Sequence, residues 1–127
     1  SLGDHVFFLA IAIGCMSTAV LNLNNMRDRI EDEKVQKNTL AVVLGAKNVK
    51  IYHSFLICTA LLAALVYLFA SQAKPLYYLS LFAFIPLLIN MIKVFKNKNP
   101  AALDPELKII ALSTFVFALL LFVTSFF

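Results

Sequence analysis

Of 127 residues, 61% are hydrophobic and 14% charged, with a mean hydropathy of +0.87. Soluble domains average about 45–50% apolar and about 25% charged residues, so an ordinary soluble globular domain is excluded. The net charge of +4 does not signal nucleic-acid binding, because no basic stripe with interleaved aromatics occurs outside the apolar runs.

Four apolar runs follow one another, at 5–23, 51–70, 76–92 and 109–127. Each approaches the roughly 20 residues that carry a helix across about 30 Å of hydrocarbon. None alternates with the two-residue period of a strand. The predicted fold class is all-α, a polytopic membrane helix bundle of four transmembrane helices in a single domain, 1–127. The first run is expected to be a membrane span and not a signal peptide, since it runs into a charged motif instead of a small-residue cleavage site. A chain opening Ser-Leu-Gly-Asp-His, with no initiator Met, is expected to be part of a longer protein.

A polar loop is expected from 24 to 50, and it holds Asp28, Glu31, Asp32 and Glu33, four of the seven acids of the chain. Asn24, Asp28 and Asp32 fall at i, i+4 and i+8, which aligns them as one row if the stretch is helical. Stacked carboxylates repel unless a cation lies between them. A hard ion such as Mg2+ suits oxygen ligands and commonly shares its coordination with substrate phosphates. Ionisable groups at the end of an apolar segment are costly and usually functional, so the row suggests a membrane enzyme handling a phosphorylated substrate. The competing reading is a solvated loop, with Glu31 and Glu33 in water or paired with Lys34.

Six of the eleven basic residues lie between Arg27 and Lys50, only Lys74 lies in the second connection, and Lys93, Lys96, Lys98 and Lys108 flank the third. Basic loops stay cytoplasmic, which places the acidic row on the cytoplasmic side of the cell inner membrane and both chain ends outside. Gly45 ends the polar loop and is expected to cap a short helix running from the acidic row. Lys74-Pro75 opens the third helix and Pro86 kinks it. Asp104-Pro105-Glu106 reads as an N-cap, a first-turn proline and a dipole-favouring acid. Cys15 and Cys58 are expected as buried thiols, His53 as a packing or interfacial residue, and the Phe-rich last helix as lipid-facing or packing surface.

The run from Leu21 to Gly45 carries a resemblance. Asn24-x-x-x-Asp28-x-x-x-Asp32 resembles the second aspartate-rich motif of the UbiA superfamily of intramembrane prenyltransferases. The flanking Leu21-Asn22-Leu23-Asn24-Asn25-Met26-Arg27-Asp28 and Lys37-Asn38-Thr39-Leu40-Ala41-Val42 are most similar to the branch that prenylates 1,4-dihydroxy-2-naphthoate. Lys50-Ile51-Tyr52-His53 and Leu103-Asp104-Pro105-Glu106-Leu107-Lys108 are similar to the same branch. One departure is Gln36, where the family usually has Gly.

The resemblance implies a nine-helix bundle with two aspartate-rich motifs facing each other, of which this chain supplies the last four helices and half of the metal site. The fragment alone is then expected to be inactive. It implies Mg2+ as cofactor, with Asp28 and Asp32 as metal ligands and Asn24 as a neutral ligand or orienting group. Arg27 and Lys37 are the implied contacts to the diphosphate, Arg27 by its planar fork and Lys37 as a point charge; a lipid-headgroup anchor is the other reading of Arg27. The partners implied are polyprenyl diphosphate, the aromatic acceptor and the lipid bilayer. The alternatives are transfer to another aromatic acceptor, or a non-enzymatic transport or assembly protein.

Overall fold

The structure is a computed structural model that describes the backbone of residues 2–124 and 126, and side chains from His5 onward. Helix α1 covers Leu2–Arg27, α2 Arg29–Lys34 and α3 Leu40–Ala70. A 3-10 segment, Pro75–Ala83, leads into α4, Phe84–Lys96. A second 3-10 turn, Pro100–Leu103, leads into α5, Asp104–Thr124. No strand occurs among the described residues. The segments long and apolar enough to cross a membrane are His5–Arg27, Leu40–Ala70, Pro75–Lys96 and Pro100–Thr124, the four spans expected. The expected end of the last helix at Phe127 lies outside the described residues.

Packing begins with α1 against α3, the most extensive helix pair. Ala12, Met16, Ala19, Leu23 and Met26 are buried along one stripe of α1, at the alternating three- and four-residue steps of an interhelical seam. Ala60 and Ala64 are buried on α3, and small side chains let helix backbones approach closely where lipid supplies no hydrophobic driving force. Helix α5 adds Ile110, Ser113 and Phe117 to the core. Phe117 meets Phe84 of α4 edge to face, with ring centroids 5.4 Å apart. Phe115 and Phe122 of the same helix are exposed, so the last helix both packs and presents aromatic surface.

The polar stretch 24–50 is mostly helix, which corrects the loop expected there. Hydropathy marks where a segment stops being apolar, whereas backbone hydrogen bonding continues through polar residues. Asp28 breaks the regular helix, with φ −94° and ψ 3°, yet the four-residue spacing survives the bend. Asp28 N–H still donates to the Asn24 carbonyl at 3.2 Å and Asp32 N–H to the Asp28 carbonyl at 2.8 Å.

Helix α2 closes in a Schellman motif. Lys37 N–H donates to the Asp32 carbonyl at 2.8 Å and Gln36 N–H to the Glu33 carbonyl at 3.1 Å. These satisfy terminal carbonyls and require a left-handed residue, usually Gly, at the position after the cap. Gln36 occupies it with φ 59°. A left-handed conformation costs a residue with a Cβ about 1–2 kcal/mol, offset in Gly by about 0.5–1 kcal/mol of extra chain entropy. Gln36→Gly is therefore expected to stabilise the protein by up to about 1 kcal/mol, read as a raised unfolding midpoint in detergent. A lowered midpoint would contradict this.

Gly45 was expected to cap a helix running from the acidic row. Instead it interrupts α3 at φ 84° and ψ 171°, a region essentially restricted to Gly. The short piece it ends starts at Leu40, with Thr39 as N-cap accepting from Val42 N–H. Asp104 is not an N-cap: it is helical, with φ −54° and ψ −46°, and its carboxylate is drawn away to Arg27. Asn99 takes the capping role, its Oδ1 accepting from Ala101 N–H at 3.3 Å, with Pro100 in the first turn. The third span opens at Pro75 as expected, and it passes from 3-10 to α-helix within the turn that holds Pro86.

Arg27 at the end of α1 reaches Asp104 at the start of α5, and the Lys50 amine donates to the Asn97 carbonyl after α4. The acidic row and the connection between α4 and α5 therefore share one end of the bundle. Residues 71–74 turn the chain at the other.

Candidate functional site: an arginine-braced acidic row

Arg27 organises the site. Its Nε donates to Asp28 Oδ1 at 2.9 Å and its Nη2 to Asp28 Oδ2 at 3.1 Å, a two-pronged grip on one carboxylate. Nη2 also donates to Asn24 Oδ1 at 2.8 Å, and Nη1 to Asp104 Oδ1 at 2.7 Å. Such charge-assisted fork contacts fix orientation as well as adding energy. The bend at Asp28 brings Arg27 and Asp28, neighbours in sequence, side by side instead of a helical step apart.

Of the residues singled out from the sequence, Asn24, Arg27 and Asp28 are in direct contact. Asp32 lies one turn further along, half-buried, and its carboxylate makes no hydrogen bond or ion pair among the described residues. Lys37 is exposed, although its charge is felt at Asp28. Arg27 is thus committed to protein partners, as a brace between Asn24, Asp28 and Asp104. Glu31 pairs with Lys34 at 3.3 Å, both exposed, as expected of a solvated pair. Cys15 is half-buried, but Cys58 is exposed, contrary to the buried thiol expected, because its face of α3 is left uncovered by the other described helices.

Hydrogen bonds from Arg27 hold the Asp28 carboxyl below the usual carboxylate range; partial burial opposes this, and the charges of Arg27 and Lys37 assist it. A depressed folded-state value means that the stabilisation is present above the ordinary carboxylate range and is lost as pH falls through the lowered one. The brace is therefore intact at neutral pH. With 41% of the Asp28 side chain exposed, its contribution to stability is small.

No group of three or more His, Cys, Asp or Glu able to hold a metal ion occurs among the described residues. Mg2+ is commonly held by one or two carboxylates together with water and substrate phosphates. The hard-oxygen pair Asp28 and Asp32 fits that partial set. The free carboxylate of Asp32 is the more available of the two, while a cation at Asp28 competes with Arg27.

A second polar chain runs beneath the row and was missed in the sequence. His53 Nε2 on α3 lies 2.9 Å from Asn90 Oδ1 on α4. Asn90 Nδ2 donates to Glu106 Oε2 on α5 at 2.8 Å, and Glu106 Oε1 lies 3.7 Å from Lys93 Nζ. His53 and Asn90 are buried. The only sequence signal was polarity: one His and one Asn inside apolar runs.

Four membrane-crossing segments and an arginine-braced acidic row at one end define a polytopic membrane protein with a charged site at the boundary of its apolar core. The UbiA prenyltransferase family matches residues 1–115, and the chain belongs to that family. Over 107 residues, 84% of this chain, it is 38% identical to a 1,4-dihydroxy-2-naphthoate octaprenyltransferase of Haemophilus influenzae, of which it covers 35%. Over 100 residues, 78% of this chain, it is 37% identical to the protein of the same name from Escherichia coli K12, of which it covers 32%. The chain thus spans about a third of the length of these curated relatives. No solved structure matches it at a significant level.

Proposed function

We propose that this chain is part of an enzyme that transfers a polyprenyl group from polyprenyl diphosphate to 1,4-dihydroxy-2-naphthoate, in menaquinone biosynthesis. The observation that carries the reading is the row Asn24, Asp28 and Asp32 at the end of a membrane span, with Arg27 gripping its first two members. Two relatives whose printed names specify that acceptor and an octaprenyl group support it.

Asp28 and Asp32 are the residues proposed to hold Mg2+, which when bound supplies Lewis-acid stabilisation of the departing diphosphate. Arg27 keeps Asp28 ionised and aimed, so the row needs little reorganisation when charge develops. Asn24 orients Arg27 through its side-chain oxygen. Lys37, exposed beside the row, is free to meet diphosphate oxygens as a point charge. The remaining ligands of the site are proposed to come from a second aspartate-rich motif on other helices, so that this segment alone is inactive. The apolar surface left uncovered on the four spans faces the bilayer and the polyprenyl tail.

The six, one, four distribution of basic residues over the connections supports the reading that the row faces the cytoplasm, in what we propose is the inner membrane. Single cysteines at Asn38 and Gln72, in a background lacking Cys15 and Cys58, are expected to label from opposite faces of oriented vesicles. Labelling of both from one side would overturn this orientation. The test of the activity is mutation of the row, argued in the Discussion.

A further inference from the structure

Beside the acidic row, and separate from it, a cavity of about 220 Å³ opens between α2, α3 and the connection from α4 to α5. Its cations are Arg29, Lys50 and Lys98, one from each of those elements, and no carboxylate lines it. Of the acids at this end of the bundle, Asp28 and Asp104 pair with Arg27, Glu31 with Lys34, and Glu106 with Asn90 and Lys93, while Asp32 and Glu33 of α2 do not line the cavity. Arg29, Lys50 and Lys98 have no acidic partner among the described residues. The Lys50 amine is held in place by the Asn97 carbonyl, so one charge is positioned instead of waving in solvent. Buried Met26, Val49 and Leu103 form the apolar wall.

Like charges converging on a partly apolar cavity repel one another unless an anion joins them. The donors are an arginine fork and two point charges, the set that suits tetrahedral phosphate oxygens. Basic pockets between membrane helices, at the level where spans end, accept the headgroups of anionic lipids. We propose that the Arg29–Lys50–Lys98 cavity is a phosphate-binding site, distinct from the Asp28–Asp32 row and independent of the activity proposed above. A phosphate there ties α2 to α3 and to the connection between α4 and α5. Two sources supply such a group: the headgroup of an anionic phospholipid, or a free phosphate or diphosphate ion.

The test is the thermal unfolding midpoint of the purified full-length protein in neutral detergent, titrated in separate arms with phosphatidylglycerol, phosphatidylcholine, inorganic phosphate and inorganic diphosphate. A ligand that binds only the folded state raises the midpoint with its concentration. Phosphatidylglycerol, but not phosphatidylcholine, is expected to raise it if the source is lipid; a rise with inorganic phosphate or diphosphate in the absence of divalent cations, lost in the cavity variants, assigns the soluble source. In either case Lys50→Gln/Lys98→Gln is expected to weaken the responding ligand by about tenfold or more, at roughly 1 kcal/mol per basic residue near a phosphate surface. Lys47→Gln, which removes an exposed charge of α3 outside the cavity, is expected to leave the response unchanged. If the double variant does not fold, Lys98→Gln alone, at an exposed position, is expected to weaken the response by several-fold. No response to any phosphate, or equal responses from wild type and the cavity variants, would overturn the proposal.

Discussion

Asp32→Asn in the full-length enzyme is expected to lower prenyl transfer to 1,4-dihydroxy-2-naphthoate by at least about 100-fold, the scale seen when one positioned electrostatic contact to a transition state is removed. The amide keeps the shape of the side chain and removes the charge that holds a divalent cation. Asp32 makes the cleaner test of the two aspartates. Its carboxylate has no protein partner among the described residues, so the substitution breaks no hydrogen bond or ion pair within them. Asp28→Asn is expected to lose as much transfer. It also weakens the two-pronged contact with Arg27, so its effect mixes lost cation affinity with a loosened brace. Glu33→Gln, at an exposed position off the row, is expected to change little. The measurement is the initial rate of purified variants across a Mg2+ titration, with membrane insertion checked in parallel. Near-normal transfer by Asp32→Asn at limiting Mg2+ would reduce the row to a solvated turn.

The four spans were legible because lipid imposes a length and a composition that few other structures satisfy. The spacing of Asn24, Asp28 and Asp32 was legible as a local quantity, and backbone bonds from Asp28 to Asn24 and from Asp32 to Asp28 run through the bend. Asp28 itself nevertheless leaves the helix, and the Asp32 carboxylate is bonded to neither of the others. What sequence reading lost is what the chain brings together from a distance. Arg27 and Asp104 stand 77 residues apart, and local rules made Asp104 an N-cap because Asp before Pro usually is one. In the structure the Asp104 carboxylate pairs with Arg27, and Asn99 caps the 3-10 turn that precedes α5. The loop assigned to 24–50 failed differently, since apolar periodicity reports burial and α2 buries no residue at all. Gln36 shows local and global demands meeting: the helix terminus needs a left-handed residue, the resemblance pointed to Gly, and the chain carries Gln at φ 59°.

Asn90→Leu is expected to destabilise the bundle by about 2–4 kcal/mol without changing any residue of the row. Leucine fills a similar volume but carries neither hydrogen bond. Asn90 Nδ2 donates to the Glu106 carboxylate, which turns Oδ1 toward His53 and makes His53 Nε2–H the donor of the other bond. With Nδ1 of His53 already buried and unpartnered, removing Asn90 leaves a fully buried imidazole with no partner for either nitrogen. Glu106 keeps only Lys93 at 3.7 Å. An orphaned buried polar group costs about 1–3 kcal/mol, whereas a hydrogen bond between membrane helices averages only about 0.6 kcal/mol. The orphaned groups, not the lost bonds, therefore set the size of the effect. A double-mutant cycle separates the two: His53→Leu/Asn90→Leu, which removes both partners, is expected to be less destabilised than the sum of the single changes. Strict additivity in unfolding free energy would show that the His53–Asn90 contact contributes nothing. Glu106 lies two residues beyond Asp104 on the first turn of α5, so loosening it also slackens the Arg27–Asp104 contact. Asn90→Leu is accordingly expected to reduce prenyl transfer by several-fold, well short of Asp32→Asn, because it displaces the brace without removing a charge from the row.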